Sequence, residues 1–227
     1  MKITFLGHAC LLIETNNKSI IVDPFISGNP LINGSINPKE LKVDYILITH
    51  AHQDHVLDVE VIMQNNPQAK IISNFEIVTY YGQKEFEGHA MNHGGSWQFD
   101  FGKLTMVNAW HSSSFADGTY GGNPAGFVLE SDGKSVYIAG DTGLSMDMKI
   151  IPLFTKLDLA ILPLGDNFTM GIDSAVVAAD YVQCNKILGY HFDTWELIGI
   201  NHDDAKKSFS KAGKDLVLLD INQSITI

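Results

Sequence analysis

The stretch ILITHAHQDH, residues 46–55, places three histidines and an aspartate in six consecutive positions directly behind a run of apolar residues. A single histidine at a strand end is ordinary packing. Buried imidazoles and carboxylates need partners, however, and a hydrophobic core cannot satisfy His50, His52, Asp54 and His55 together. The spacing therefore predicts a binding function for the turn. His50 and His52 alternate at the end of a buried strand and face the same side, while Asp54 and His55 leave the following turn toward the other side of the bend. This is unlike the helical H-E-x-x-H arrangement, whose histidines meet one turn apart.

Working outward, KITFLGH (2–8), CLLIET (10–15) and SIIVDP (19–24) are short, β-branched and separated by turn residues such as Asn16 and Asn17, which predicts a meander. FISGNPLINGSINP (25–38) reads as a long loop, either a lid over a site or a plain surface connection. VDYILITH (43–50) predicts a buried strand, VLDVEVIMQNN (56–66) a helix, AKIISN (69–74) a strand and residues 75–86 a helix. In the second half FGKLTMVNAWH (101–111) is strand-like. AGFVLESDGKSVYIAGD (125–141) is a hairpin turned by Asp132-Gly133, and LDLAILPLGD (157–166) is another buried strand. DSAVVAADYVQC (173–184) predicts a helix with Asp173 as its N-cap, leading into strand KILGYH (186–191). The tail predicts a helix over DDAKKSFSKAG (203–213), stopped by Gly213, and a strand at LVLLDI (216–221). Meanders and helices in each half predict an α+β fold of two sheets face to face with helices outside. No linker or repeat divides residues 1–227, which read as one domain.

Three more strand ends carry the same residue types: His111 before a Ser-rich turn, Asp141 where a hairpin strand meets glycines, and His191 at the end of KILGYH. Strand ends are where a rigid scaffold gathers distant side chains at one edge.

Composition limits the partners. The net charge of −11 and a pI near 5.1 exclude a nucleic-acid surface, since only 15 residues are Lys or Arg. Cys10 and Cys184 are the only cysteines and lie far apart in sequence, which excludes a disulfide framework and a Cys-rich zinc site. The N-terminus alternates like a strand and lacks the features of a signal peptide, so a reduced, cytoplasmic protein is expected, with no membrane partner. A small-molecule substrate is expected, and homo-oligomers could form over exposed loops.

The H-x-H-x-D-H string, followed by a later His, a Gly-Asp and a last His, resembles the metallo-β-lactamase superfamily. FLGHACLLIE (5–14), VDPFISGNP (22–30), AGDTG (139–143) and LPLGDNFTMG (162–171) look like the bacterial metal-dependent hydrolases related to ascorbate-6-phosphate lactonase. The resemblance spans nearly the whole chain and implies a four-layer αβ/βα sandwich with a metal centre at one edge. It also implies two divalent ions, Zn or Mn, with Fe as a further choice. His50, His52 and His111 would hold one, Asp54, His55 and His191 the other, and Asp141 would bridge them.

The implied activity is hydrolysis of an ester, lactone or phosphodiester by a hydroxide shared between the ions, with Asp54 orienting it. Two ions offset by Asp54, Asp141 and the hydroxide leave roughly one positive charge, from which an anionic substrate is expected. Iron-dependent redox chemistry on the same fold and non-catalytic metal binding are the alternatives. His8 matches a recurrent family histidine and is the candidate proton donor, and Asp23 is expected to support the histidine loop. Ser112 to Ser114 and Asn167 to Thr169 are candidate lining, whereas His89, His93 and His202 read as surface or loop residues. His191 follows Gly-Tyr where the family more usually has Pro-Met, and FDTWELI (192–198) departs from the more usual YNTFPLI. Tyr190, Phe192 and Trp195 are therefore expected to reshape the wall beside the second ion.

Overall fold

The chain's β-branched runs pair in order. In the computed structural model, which describes all 227 residues, strands β1 (Lys2–Gly7), β2 (Cys10–Thr15) and β3 (Lys18–Val22) form an antiparallel meander. Parallel strands β4 (Tyr45–Leu47), β5 (Lys70–Asn74) and β6 (Gly88–Met91) extend it. The second half repeats the plan. Strands β7 (Ser96–Phe99), β8 (Gly102–Asn108), β9 (Ala125–Ser131) and β10 (Lys134–Ile138) are antiparallel, and β11 (Leu159–Pro163), β12 (Lys186–Tyr190) and β13 (Asp215–Val217) continue in parallel. A last strand, β14 (Ser224–Thr226), returns to β1 and gives each sheet seven strands.

The inner faces of the two sheets share one core, including Ile13, Leu47, Phe127, Ile138 and Ile161, all fully buried. Helices α1 (Gln53–Val56), α2 (Val59–Asn65) and α3 (Phe75–Gly82) lie with the first sheet; α4 (Ile172–Tyr181) and α5 (His202–Lys211) lie with the second. Ile62 and Ile77 pack with the outward residues of the first sheet, Ala178 and Phe209 with those of the second. The result is the expected α+β four-layer sandwich. No helix is long and apolar enough to cross a membrane.

Both tight turns occur where the sequence puts them. Asn16-Asn17 and Asp132-Gly133 have positive φ at both positions, joining β2 to β3 and β9 to β10 by two-residue loops. Gly213 takes φ +71° just beyond α5.

Several boundaries differ from expectation. The helix expected over 56–66 breaks at Asp58, whose carboxylate accepts from Ile26 N (2.6 Å), Ser27 N (2.9 Å) and Ser27 Oγ (2.6 Å). Those bonds also anchor the 25–38 segment, which buries Ile26 and Ile32 and is not a loose connection. Asp173 is not the N-cap of α4: Gly171 is, and Asp173 lies in the first turn. There its charge still complements the helix dipole. The helix expected over 75–86 ends at Gly82, and of the last strand, expected over 216–221, only Leu216 and Val217 pair, together with Asp215 before them. Strands β6, β7 and β14 lacked a periodic signal because they lie on the outer portions of their sheets. His89, expected on the surface or in a loop, sits in β6 with its ring 5.0 Å from those of Trp97 and Phe99.

Candidate metal centre

Strand direction decides where the chemistry is. Parallel strands β3, β4, β10, β11 and β12 all run toward one edge, so the residues just past their ends share it. Asp23 follows β3, His50 and His52 follow β4, Asp141 follows β10, and His191 follows β12. Gly140 makes the turn into Asp141 possible. Its φ is +67°, and a Cβ there would lie 2.6 Å from Ala125 O.

All seven expected ligands converge. Imidazoles of His50, His52 and His111 offer nitrogens within 4.8 Å of one another, and His8, Asp54, His55 and His191 form a second such group. Asp141 Oδ2 lies between the groups, 3.0 Å from His191 Nε2, 3.4 Å from His55 Nε2, 3.6 Å from His111 Nε2 and 4.0 Å from His50 Nε2.

The bonds around the rings fix their tautomers. Asp23, fully buried, accepts from Thr49 N (2.8 Å), Thr49 Oγ1 (2.7 Å) and His55 Nδ1 (2.9 Å). Since the Thr49 hydroxyl hydrogen goes to Asp23, its oxygen accepts from His50 Nδ1, 3.0 Å away. Both imidazoles therefore commit Nδ1 to these bonds and turn Nε2 toward Asp141 as the nitrogen a cation would take, which is how an outer carboxylate orients metal-binding histidines. His8 is pinned differently. Its Nε2 is 3.1 Å from Asp54 Oδ2 and its Nδ1 is 2.8 Å from Thr194 Oγ1. A carboxylate only accepts, so Nε2 carries the proton and Nδ1 accepts from Thr194.

Charge sharpens the reading. Burial, then the neighbouring charge of His55, holds His50 well below its ordinary pKa, and burial likewise lowers His52 and His111. Burial also pushes His8 down, to about 4. Burial opposes a charge on His55, yet Asp141 and Asp23 outweigh it and raise its pKa well above normal. Burial would raise Asp141, but the facing His191 and His55 hold it well below the carboxylate range. Imidazoles that resist protonation, beside buried carboxylates whose charge His55 answers with a proton when no ion is there, make a cation site.

Residues fit a metal on a second count. His55 Nε2, both ring nitrogens of His191 and Asp141 Oδ1 are buried without a hydrogen-bond partner. Orphans of this kind are rare in folded proteins, and here they point into one cluster.

A family model described as a β-lactamase superfamily domain matches residues 2–191. The UPF0173 metal-dependent hydrolase of Flavobacterium johnsoniae is 62% identical over the full length of both chains. The chain belongs to the UPF0173 metal-dependent hydrolase family, within the β-lactamase superfamily. The Christiangramia forsetii member of this family is 57% identical, again over both full lengths. Among solved structures, Igni18, a metallo hydrolase from Ignicoccus hospitalis, superposes with a TM-score of 0.88 at 32% identity, covering 99% of this chain and 97% of that one. CmlA, a diiron β-hydroxylase from Streptomyces venezuelae, shares the fold at 13% identity, with a TM-score of 0.77 over 100% of this chain and 54% of its own.

Against this family background the remaining candidates divide. Ser112 Oγ reaches 3.3 Å from His52 Nε2, whereas Ser113 braces the loop by accepting from Ala51 N and donating to Gly121 O. Trp195 stands edge-on to the His8 ring at 5.0 Å, and Tyr190 is buried in the core between the sheets. His93 Nε2 donates to Pro124 O, and His202 pairs with Asp193; neither joins the cluster. Sequence reasoning missed Thr49, Thr194 and Phe25. Thr49 could have been suspected as the residue before His50, but Thr194 meets His8 across 186 residues with no local signal.

Proposed function

We propose that this metal-dependent hydrolase uses two divalent cations, zinc or manganese, to hydrolyse an ester, lactone or phosphodiester bond in a small cytoplasmic molecule. The observation that carries the reading is the single Asp141 oxygen lying within 4.0 Å of imidazole nitrogens from both ligand groups. His50, His52 and His111 would hold one ion, Asp54, His55 and His191 the other, and Asp141 would be shared. Nitrogen and oxygen donors without thiolate suit Zn, Mn or Fe; Cys10 and Cys184 are buried in the outer cores instead. When bound, such ions supply Lewis acidity and bring the pKa of a coordinated water to about 7.

The chain's own residues do the rest. Asp23 and Thr49 hold the Nδ1 atoms of His55 and His50, leaving each Nε2 as the ligand nitrogen. His8, held neutral by burial, orients Asp54 through its Nε2–H and is a positioning group rather than the proton donor expected from the sequence. Thr194 fixes the ring that does so. The net positive charge expected of the loaded site serves the developing oxyanion.

Elemental analysis of protein purified without added metal is expected to give two zinc or manganese ions per chain. A single iron would overturn the reading in favour of redox chemistry. In a screen of esters, lactones, thioesters and phosphodiesters, Asp141→Asn is expected to lower turnover at least about a hundredfold, as loss of a central electrostatic group does. Unchanged turnover in that variant, or none by the loaded wild type, would count against the proposal.

A further inference from the structure

Strand direction sorts charge as well as ligands. All 15 cationic side chains are lysines; the chain has no arginine. Lys2, Lys18, Lys70, Lys103, Lys134 and Lys186 sit at the strand ends opposite the metal centre, most of them paired there with Asp or Glu. The segments that carry the site, residues 23–31, 48–58, 109–124, 139–146, 164–171 and 190–201, hold no lysine. They do hold Asp166, Asp193 and Glu196 beyond the ligands. A phosphate or carboxylate on a substrate is ordinarily gripped by Arg or Lys. Here the site's own segments supply none, so an anionic group away from the bond to be cut would meet Asp166, Asp193 and Glu196 rather than a cationic side chain.

Exposed aromatic rings stand in place of cations. Trp195 is 40% exposed, edge-on to His8 at 5.0 Å and 5.9 Å from the buried ring of Phe25. Trp110, 71% exposed, immediately precedes His111; its backbone pairs with Thr142 Oγ1 and Gly143 N, next to Asp141. Phe168, 53% exposed, lies on a loop tied to Thr142 O through Met170 N. Three separate loops that carry or adjoin site residues thus expose large apolar surface, the composition of a pocket wall for an uncharged ligand.

We infer that the substrate is an uncharged carboxylic ester or lactone bearing an aromatic or extended aliphatic group, held by Trp195, Phe25, Trp110 and Phe168. This rests on the hydrolase reading and narrows it, setting aside phosphodiesters, phosphorylated lactones and the anionic substrate expected from the charge of the ions alone. Water adds to the carbonyl carbon, the acyl C–O bond breaks, and a carboxylic acid and an alcohol result. The neutral substrate enters an acidic mouth without penalty, and the carboxylate product is repelled from it.

The test compares 4-nitrophenyl hexanoate, 4-nitrophenyl acetate and bis(4-nitrophenyl) phosphate on the metal-loaded protein. The hexanoate is expected to exceed the acetate in kcat/KM by about tenfold or more, as burial of its added methylenes allows, and the phosphodiester to be slowest. Trp195→Ala should collapse the hexanoate preference through KM. Trp195→Lys should do the same and raise the relative rate on the phosphodiester. A binding arm needs no turnover: N-phenylhexanamide, an uncharged amide, should give a saturable change in tryptophan fluorescence, with an affinity about tenfold weaker in Trp195→Lys. Equal rates on the two esters, preference for the phosphodiester, or an ester ratio untouched by both variants would overturn the inference while the hydrolase reading stands. Amide binding without cleavage of any ester would overturn the hydrolase reading and the ester assignment with it, leaving only an aromatic binding site.

Discussion

The residue that governs this site most economically is Asp23, which touches no expected ion position yet sets the tautomers of His50, through Thr49, and His55 directly. Its backbone is left-handed (φ 44°), as are those of His8 (57°) and His191 (53°). Such conformations cost about 1 kcal/mol or more apiece for residues with a side chain. They persist because bonds such as His191 N to His8 O (2.8 Å) leave no alternative. Asp23→Asn keeps the shape but turns an acceptor-only group into one with an NH2 facing donors. Metal affinity, measured by competition with a chelator, is expected to fall about 10- to 100-fold, with the circular dichroism spectrum retained. Unaltered affinity would show that the imidazoles orient themselves.

Elements deliver these residues through their ends, and the ends are where sequence reading erred. Asn201 caps α5 by accepting from Asp204 N at 3.0 Å, whereas Asp173 in α4 makes no side-chain cap. In urea unfolding, Asn201→Ala is expected to lose about 1 kcal/mol. Asp173→Ala should lose a few tenths, the share of a first-turn charge. Equal losses would mean that Asp173 caps after all. The error has a physical source: Ser, Asp and Asn near a helix start are equivalent by type, and only backbone angles separate the cap from the first turn. Asp58 misled in the same way. It reads as one more polar residue on a helix face, but three donors from the 25–27 segment claim its carboxylate and break the helix. The buried strands, by contrast, were legible, because long apolar β-branched runs bounded by turn residues allow little else.

On the scale of the molecule, a charged cluster ties the two sheets at the end away from the metal centre. Lys18 in β3 is 3.0 Å from Asp100 in the β7–β8 turn, and Tyr45 in β4 donates to Asp100 at 2.8 Å. Burial raises the Asp100 pKa, but the bonds from Tyr45 and Lys18 outweigh it and leave the carboxyl below its usual value. A depressed carboxyl pKa stabilises the fold above the unfolded value, near 4, and that contribution is lost as pH falls through the folded value. The wild type should therefore be more stable than Asp100→Asn at pH 6, with the difference vanishing toward pH 2. A difference independent of pH would assign the bond a neutral role.

The sequence by itself determined the sandwich and the seven ligand candidates, because apolar periodicity and the H-x-H-x-D-H turn are local patterns carried by adjacent residues. Only the tertiary structure decided that one Asp141 oxygen sits between two histidine groups, that His8 donates its Nε2–H to Asp54, and that six lysines stand at the strand ends opposite the site. These depend on which strand ends share an edge, and that is fixed by the packing of two sheets whose contacting residues are remote in the chain.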